Sequence, residues 1–255
     1  MQSLTSLARI QNISSLGSFV SGLALPTAGL LQWLFKDANT ATQAVDKVGT
    51  RAGTVFAGRC YDFDGTNDYV DASASLPSTD LLATDGVSFA CWAKTEGGTS
   101  SRMLFAHRDS SNPLLQLALH DTNGLTAQFR TSNSSIVTST NNTVTQTDLN
   151  HYAVVWDFVG DTQKIYANKA LVQTDSITTS GTLTSAETII GAFTSDAGAT
   201  YGGYMDGKVY GAVVKNGLFT QAEINAHADN LVMPVNASAF YKMDEGDKAT
   251  AFDSS

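Results

Sequence analysis

The sequence predicts an all-β fold: a two-sheet antiparallel jelly-roll sandwich with one short helix near residues 220–229. Short strand-like segments with alternating apolar residues are joined by turn-forming stretches rich in Gly, Asp, Asn, Ser and Thr. The strand-like segments recur at intervals of roughly 8–14 residues, a spacing typical of sandwiches and jelly rolls. No long helical pattern interrupts them.

The segment 87–94 (VSFACWAK) shows the alternation clearly. Its residues fall on two faces of a strand, with Val87, Phe89, Cys91 and Ala93 on one and Ala90 and Trp92 on the other. Further strand-like segments follow at 114–120, 125–131, 151–158, 163–172, 187–193 and 204–214. We expect Trp33, Trp92 and Trp156 to lie in the core, because a sandwich needs large inward-facing side chains.

The predicted helix begins at a capping box formed by Thr220 and Glu223. In this motif the Thr side chain accepts from the backbone of the first turn, and the Glu side chain reaches back to the cap. Ile224 and Ala228 fall on one face of the segment 220–229. We therefore expect a short surface helix late in an otherwise β chain.

The net negative charge of the chain disfavours some classes of binding partner. The formal net charge of the 255 residues is −9, with 20 Asp but only four Glu. A nucleic-acid backbone repels such a chain, and so does an anionic membrane surface. No apolar run of about 18 residues occurs, so no transmembrane helix is predicted.

We divide the chain into an N-terminal arm (1–29), a β domain (30–235) and a strand-like C-terminal tail (236–255). The arm is not interpreted as a targeting segment, because Arg9 is its only cation and Ser and Gly interrupt its apolar part. The tail resembles the start of the domain: shifting the chain by 207 residues aligns 31–46 with 238–253 without a gap.

The stretch 61–71 (YDFDGTNDYVD) concentrates acidic residues and allows three interpretations. We favour a hairpin turn stabilised by its own Asp and Asn side chains. A calcium site is the second, and it would use Asp64, Asn67 and Asp68 with Asp206, since Ca²⁺ prefers oxygen ligands. A catalytic carboxylate pair is the weakest, because the four Glu offer no closely spaced partner outside the terminal tail.

Aromatic and polar residues in two loop-like stretches, 105–109 and 199–204, are the candidates for a ligand-binding face. We predict that these loops bind a glycan through Tyr201, Tyr204, His107 and Arg108, all expected to be exposed, with Tyr201 or Tyr204 stacking on a sugar ring. The alternative, ordinary loop residues, stays open. The four histidines are scattered in the sequence, and an isolated histidine is more often a surface or capped residue than a ligand. Cys60 and Cys91 are expected to be buried free thiols, with a disulfide as the alternative.

Several short motifs occur in an order that resembles one family. They are Trp33–Asp46, 58–70 (GRCYDFDGTNDYV), 89–94 (FACWAK), 151–156 (HYAVVW), 165–168 (IYAN), Ile190-Gly191, 206–213 (DGKVYGAV) and 218–224 (LFTQAEI). The ordered set resembles the laminin-G-like, concanavalin A-like lectin/glucanase jelly rolls of the pentraxin type over about residues 30–230. The family's strand at 206–214 usually carries more acidic residues, whereas Lys208 and Gly211 stand here, and this weakens a metal site.

The resemblance implies a fold used for sugar binding, adhesion and protein contacts. We expect a non-enzymatic structural protein of a virion surface, such as a decoration, fibre or tail component of a bacteriophage. It would assemble with itself and with other virion proteins, and it would bind host glycans. The alternative is a calcium-dependent carbohydrate-binding adhesion module on a cell surface. Calcium is the one candidate cofactor, and no membrane insertion is expected.

Overall fold

The structure, a computed structural model, describes most of the β domain. The described residues are 43–45, 52–54, 60–77, 79–96, 101–108, 114–184, 187–194 and 200–241. The arm 1–29, Trp33 and the tail beyond residue 241 lie outside them. The chain divides into two compact units, 1–55 and 56–255. In the first, β1 (Gln43–Val45) pairs with β2 (Ala52–Thr54) in antiparallel fashion.

The second unit contains two large antiparallel sheets, which confirms the predicted sandwich. The seven-stranded sheet has the order β12-β11-β10-β5-β16-β17, with β3 also pairing with β16. Its strands are β3 (Tyr61–Asp64), β5 (Gly86–Thr95), β10 (Asn150–Asp157), β11 (Thr162–Ala167), β12 (Ala170–Ser176), β16 (Asp206–Asn216) and β17 (Ala239–Tyr241).

The six-stranded sheet has the order β4-β13-β6-β7-β8-β9. Its strands are β4 (Val70–Asp71), β6 (Arg102–Arg108), β7 (Leu114–His120), β8 (Gly124–Arg130), β9 (Val137–Asn141) and β13 (Glu187–Ile190). A small pair, β14 (Phe193–Thr194) and β15 (Tyr201–Gly202), follows β13. Two short 3₁₀ turns, Ser73–Ser75 and Leu81–Ala83, precede β5.

The core lies between the two sheets. The predicted inward face of β5, comprising Val87, Phe89, Cys91 and Ala93, is fully buried there. Trp156 is also fully buried among these residues, as expected. The interior also holds a polar bridge between the sheets: Gln163 accepts a hydrogen bond from Trp156 Nε1 at 2.6 Å and donates one to Ser139 Oγ at 2.7 Å.

The helix α1 (Gln221–Asn230) packs on the opposite face of the seven-stranded sheet, and the predicted capping box of Thr220 and Glu223 is present. Ile224 packs there with Ala90, which lies on the face opposite to Phe89, as the alternation in 87–94 predicted. Trp92 differs from the expectation of a core residue: it is only partly buried and meets His151 edge-on on this face. Within the described ranges, no helix combines the length and apolar character needed to cross a membrane.

The acidic stretch connects the two sheets. Its strand β3 pairs with β16 in one sheet, whereas β4 pairs with β13 in the other. The expected hairpin is therefore wrong, because the chain crosses from sheet to sheet at this turn. The expected alternation is present, since Phe63 is buried and its neighbours Asp62 and Asp64 are exposed. Cys60 and Cys91 are both free thiols, and only Cys91 is fully buried.

Candidate functional site

The carboxylates of the acidic turn are engaged in stabilising it. Asp64 Oδ1 accepts hydrogen bonds from the backbone N–H of Thr66 at 2.8 Å and of Asn67 at 3.3 Å. Asp68 Oδ2 accepts one from Asp64 N–H at 3.0 Å. Such hydrogen bonds are typical of a turn stabilised by its own side chains, which was the preferred interpretation of this stretch.

The predicted calcium ligands are only partly brought together. Asp206 is the cross-strand partner of Asp64, but its Oδ2 lies 3.4 Å from Arg102 Nη2. In the parts of the chain that the structure describes, no group of three or more His, Cys, Asp and Glu side chains could hold a metal ion. A set whose carboxylates bind backbone N–H groups and an arginine does not fit calcium well. Calcium binding stays a prediction, which titration calorimetry of the wild type and of Asp64→Asn would check.

The predicted sugar-binding residues fall at different places. His107 is 1% exposed, so the expectation that it is exposed is wrong. It lies on β6, points into the core beside Thr188 and places Nδ1 2.8 Å from Thr188 Oγ1. Burial lowers the pKa of His107 to about 4. Residues 105–108 of the stretch expected to form a loop belong instead to the strand β6.

Arg108 lies beside the small pair β14–β15, and Tyr201 is part of it. The guanidinium carbon of Arg108 is 4.7 Å from the ring centroid of Phe193 on β14. Tyr201 on β15 stacks on Tyr69, with ring centroids 4.3 Å apart. Burial, together with a hydrogen bond to Tyr69, raises the pKa of Tyr201 to about 12. Tyr204 lies just before β16 and is half-buried.

A groove of about 240 Å³ lies on the face of the six-stranded sheet that points away from the core. We call it the outer groove. It is lined by Ser101, Met103, Gln116, Ala118, His120, Asn123, Thr126, Gln128 and Thr138. Sequence alternation within 114–120 and 125–131 would have marked several of them as outward-facing, but it could not show that three strands bring them together.

Strand register explains how the polar lining is formed. Gln116 on β7 is paired with Gln128 on β8, which is paired with Thr138 on β9. Directly paired residues of antiparallel strands point to the same face, so these three side chains form one row. Gln128 Nε2 donates to Thr138 Oγ1 at 3.4 Å. Ala118 and Thr126 form the neighbouring row.

The groove combines polar and apolar surfaces. Gln116 Nε2 and Thr126 Oγ1 are buried and have no hydrogen-bond partner. Met103, Ala106 and Ala118 form a small apolar cluster against which Phe193 packs. Amides and hydroxyls both donate and accept, so this surface suits a ligand that carries hydroxyl groups and apolar ring faces.

Comparison with known proteins identifies the family. Residues 64–225 match the family described as the Concanavalin A-like lectin/glucanases superfamily. This match covers more than half of the chain, and the protein belongs to that family. No curated protein is a match to the chain.

Solved structures show the same fold at low identity. A heptameric SAP-like pentraxin from Limulus polyphemus is 14% identical, with a TM-score of 0.51 over 72% of this chain and 90% of that one. The CBM40 of the Ruminococcus gnavus IT-sialidase, bound to α2,3 sialyllactose, is 16% identical, with a TM-score of 0.52 over 66% of this chain and 97% of that one. The NanB sialidase of Streptococcus pneumoniae is 16% identical, with a TM-score of 0.52, and the likeness covers 70% of this chain but 28% of the sialidase.

Proposed function

We propose that the protein binds carbohydrate in the outer groove and catalyses no reaction there. The observation that carries this proposal is the row of Gln116, Gln128 and Thr138 beside the apolar cluster of Met103 and Ala118. A sugar ring offers the complementary surface, since its hydroxyls donate and accept while its C–H face is apolar.

The buried amide nitrogen of Gln116 supports a bound ligand. A buried donor that lacks a partner costs roughly 1–3 kcal/mol. A ligand hydroxyl that accepts from Gln116 Nε2 would remove this cost, and Thr126 Oγ1 offers a second point of attachment in the next row. The groove is thus complementary to polyols at positions where the protein leaves its own polar atoms unpaired.

The absence of catalytic carboxylates along the groove supports a non-enzymatic role. Among its described lining residues none is Asp or Glu. Glycoside hydrolysis generally requires a pair of carboxyl groups on either side of the scissile bond. The carbohydrate-binding module bound to sialyllactose shares the fold, which agrees with binding without hydrolysis.

A glycan array followed by titration calorimetry tests the proposal. We expect Gln116→Ala and Gln128→Ala each to weaken binding about tenfold, the value of one lost hydrogen bond. Gln221→Ala is the matched control, because this amide lies on α1, where it contacts Lys169 O and Asn225 Oδ1. Binding to no glycan on the array, or equal loss in all three variants, would overturn the proposal.

We further propose that this carbohydrate-binding protein acts on the surface of a virion, with a cell surface as the alternative. The support is the repeat of 31–46 at 238–253, which suggests a strand available for assembly with itself or with other virion proteins. Within the described part of that tail, residues 236–241, the strand Ala239–Tyr241 already pairs with β16 of its own sheet, so the assembly proposal rests on residues 242–255.

The pairing of Ala239–Tyr241 with β16 determines which truncations can test assembly. Deleting the whole tail from residue 237 would remove buried Ala239, Phe240 and Tyr241 and damage the fold itself. Light scattering should therefore compare the full chain with chains that lack 1–29 or 242–255. An oligomer that dissociates on truncation is expected, whereas a monomer in every case would contradict the assembly role.

A further inference from the structure

The outer groove has its smallest side chain, an alanine, between larger ones. Ala118 lies on β7 between Gln116 and His120, which point to the same face because each is two residues away. Across the strands, Ala118 is paired with Met103 on β6 and with Thr126 on β8. All five side chains line the groove. A depression over Ala118 is therefore surrounded by one thioether and three polar side chains.

Two polar atoms beside this depression lack partners. Gln116 Nε2 and Thr126 Oγ1 are buried and form no hydrogen bond with the described residues. Gln116 as a whole is 6% exposed. Its Nε2 can only donate, whereas the hydroxyl of Thr126 can accept. Gln116 is paired with Gln128, two residues from Thr126, so Gln116 and Thr126 are diagonal neighbours roughly 7–8 Å apart.

A ligand amide matches this pair of atoms. The C=O and N–H of an amide lie in one plane and point in opposite directions, because the bond between them is planar and trans. The carbonyl oxygen can accept from Gln116 Nε2 while the N–H donates to Thr126 Oγ1. Two hydrogen bonds of about 2.9 Å with the amide between them span about the same length as the roughly 7–8 Å between diagonal neighbours.

The apolar part of the depression accepts a methyl group. Met103, Ala106 and Ala118 form one cluster against which Phe193 packs. A methyl group placed on Ala118 beside Met103 would be removed from water, whereas a hydroxyl there would lose its hydration without gaining a hydrogen bond.

The lining of the groove favours an uncharged group. Among its described residues none is Asp, Glu, Lys or Arg. An ammonium or a carboxylate in the depression would lose hydration without an opposite charge in the lining. The depression therefore suits a neutral amide that ends in a methyl group.

We propose that the outer groove recognises an N-acetylhexosamine, with its acetamido group between Gln116 and Thr126 and its methyl group on Ala118. This inference rests on the proposed carbohydrate-binding function and adds the class of sugar. The acetamido group supplies the acceptor, the donor and the methyl group that the depression requires. Gln128 and Thr138 are left for the hydroxyls of the ring.

Ligands that differ at one position test the requirement for an acetamido group. Calorimetry would compare triacetylchitotriose with its deacetylated form and with cellotriose, which carry an acetamido group, an ammonium group and a hydroxyl at the same carbon. N-acetylgalactosamine and galactose form a second set. We expect the acetamido member of at least one set to bind about tenfold to 100-fold more tightly than its counterparts.

Two results with these ligands would contradict the inference. One is equal binding within both sets, or tighter binding of a hydroxyl or ammonium member. The other is a glycan without an acetamido group that binds more tightly than every acetylated glycan on an array.

Protein variants locate the acetamido group. Thr126→Val keeps the size of the side chain and removes the hydroxyl, so it should reduce the preference for the acetamido ligand about tenfold. Ala118→Val fills the depression and should abolish the preference. Thr174→Val, at an exposed position of β12 in the other sheet, is the matched control and should keep it.

The unfolding midpoint of each variant shows whether the fold is retained. If Ala118→Val does not fold, Thr126→Val still decides the assignment, because it removes one oxygen atom from the groove. A wild-type preference in folded Thr126→Val would overturn the placement of the acetamido group.

Saturation-transfer NMR measures which part of the ligand is closest to the protein. The acetamido methyl protons should receive the largest saturation of all ligand protons, because the methyl group contacts Ala118 and Met103. Largest saturation at the ring protons would contradict the proposed orientation.

The outcomes separate this inference from the proposed function. If hydroxyl and acetamido members bind equally and Gln128→Ala weakens both, the protein binds carbohydrate in the outer groove and only the class of sugar is wrong. If no glycan binds, the proposed function fails together with the inference.

Discussion

His151 Nε2 and His227 Nδ1 lie 2.9 Å apart and join β10 to the helix α1. Both side chains are buried, at 0% and 1% exposed. Trp92 meets His151 edge-on, and Phe240 lies similarly against His227. One imidazole donates and the other accepts, which requires at least one of the two to be neutral.

This pair predicts that the fold loses stability in acid. Burial lowers the pKa of His227 to about 4, and burial together with the charge of His227 lowers that of His151. The unfolded chain binds protons at a pKa of about 6.5, so between roughly pH 6.5 and pH 4 it binds more protons than the folded chain. The stabilisation is complete above that window and is lost as the pH falls through it. The loss is on the order of 3 kcal/mol for a histidine shifted from about 6.5 to about 4.

Urea unfolding at pH 7.5, 6, 5 and 4.5 would measure this dependence. His227→Gln should flatten the curve, because it removes one buried titrating group. His120→Gln is the control, since His120 lies half-buried at the end of β7, away from the helix. A free energy of unfolding that does not change between pH 6.5 and pH 4.5 would contradict the prediction.

The histidines also show where sequence reasoning reaches its limit. Alternation within 151–158 correctly predicts a strand, and the Thr220–Glu223 pattern correctly predicts the helix. Both signals are local, because periodicity and capping depend on neighbours in the chain. The contact of His151 with His227 spans 76 residues, and nothing in either local pattern indicates it. An isolated histidine was expected to be a surface or capped residue rather than a ligand, and these two are buried and hydrogen-bonded to each other.

A second prediction concerns Gly191, which follows β13. Its φ is +87°, and a Cβ placed there would lie 2.4 Å from Cε1 of the buried Phe63. Gly191→Ala should destabilise the protein by about 2–4 kcal/mol, through backbone strain and displacement of the Phe63 ring. Thermal and urea unfolding would measure the change.

Gly202→Ala is the matched control for Gly191→Ala. Its added Cβ would lie 3.4 Å from Cζ of Phe193, close to an ordinary contact distance, and its backbone needs no positive φ. We expect a change within about 1 kcal/mol. Equal destabilisation by both substitutions would show that the Phe63 contact is not the cause.

A third prediction concerns the polar bridge through Gln163. This side chain is 0% exposed and links Trp156 Nε1 in one sheet to Ser139 Oγ in the other. Gln163→Leu fills a similar space but leaves the buried indole N–H without its acceptor, which should cost roughly 1–3 kcal/mol.

The comparison that decides this prediction uses a second substitution. Trp156→Phe removes the indole N–H, so Gln163→Leu should cost less in that background than in the wild type. The difference in a double-mutant cycle measures the bond between the two side chains. Additive effects of the two substitutions would show that the bridge contributes nothing to stability.

The candidate site shows a different limit of sequence reasoning. Arg108, singled out from its local context, does lie on the face that carries the outer groove, whereas His107 beside it points into the core. A single position along β6 separates the two, because successive side chains point to opposite faces. Gln116 and Gln128 carried no signal of their own, since glutamine in a strand is ordinary and only the register of β7 with β8 places them side by side.

A last prediction follows from the thiols. Cys91 is 0% exposed on β5, and burial raises the pKa of its thiol well above the ordinary range. Because the thiolate is the reactive form, Cys91 should react with a maleimide only when the protein unfolds. Cys60 is half-buried, and burial also raises the pKa of its thiol, so it should react in the native state but more slowly than a free cysteine.

Mass spectrometry of the labelled protein with and without urea would measure both rates, and Cys60→Ser would leave Cys91 as a single reporter of unfolding. Rapid modification of Cys91 in native Cys60→Ser protein would show that β5 opens without global unfolding, which the burial of its neighbours Phe89 and Ala93 argues against.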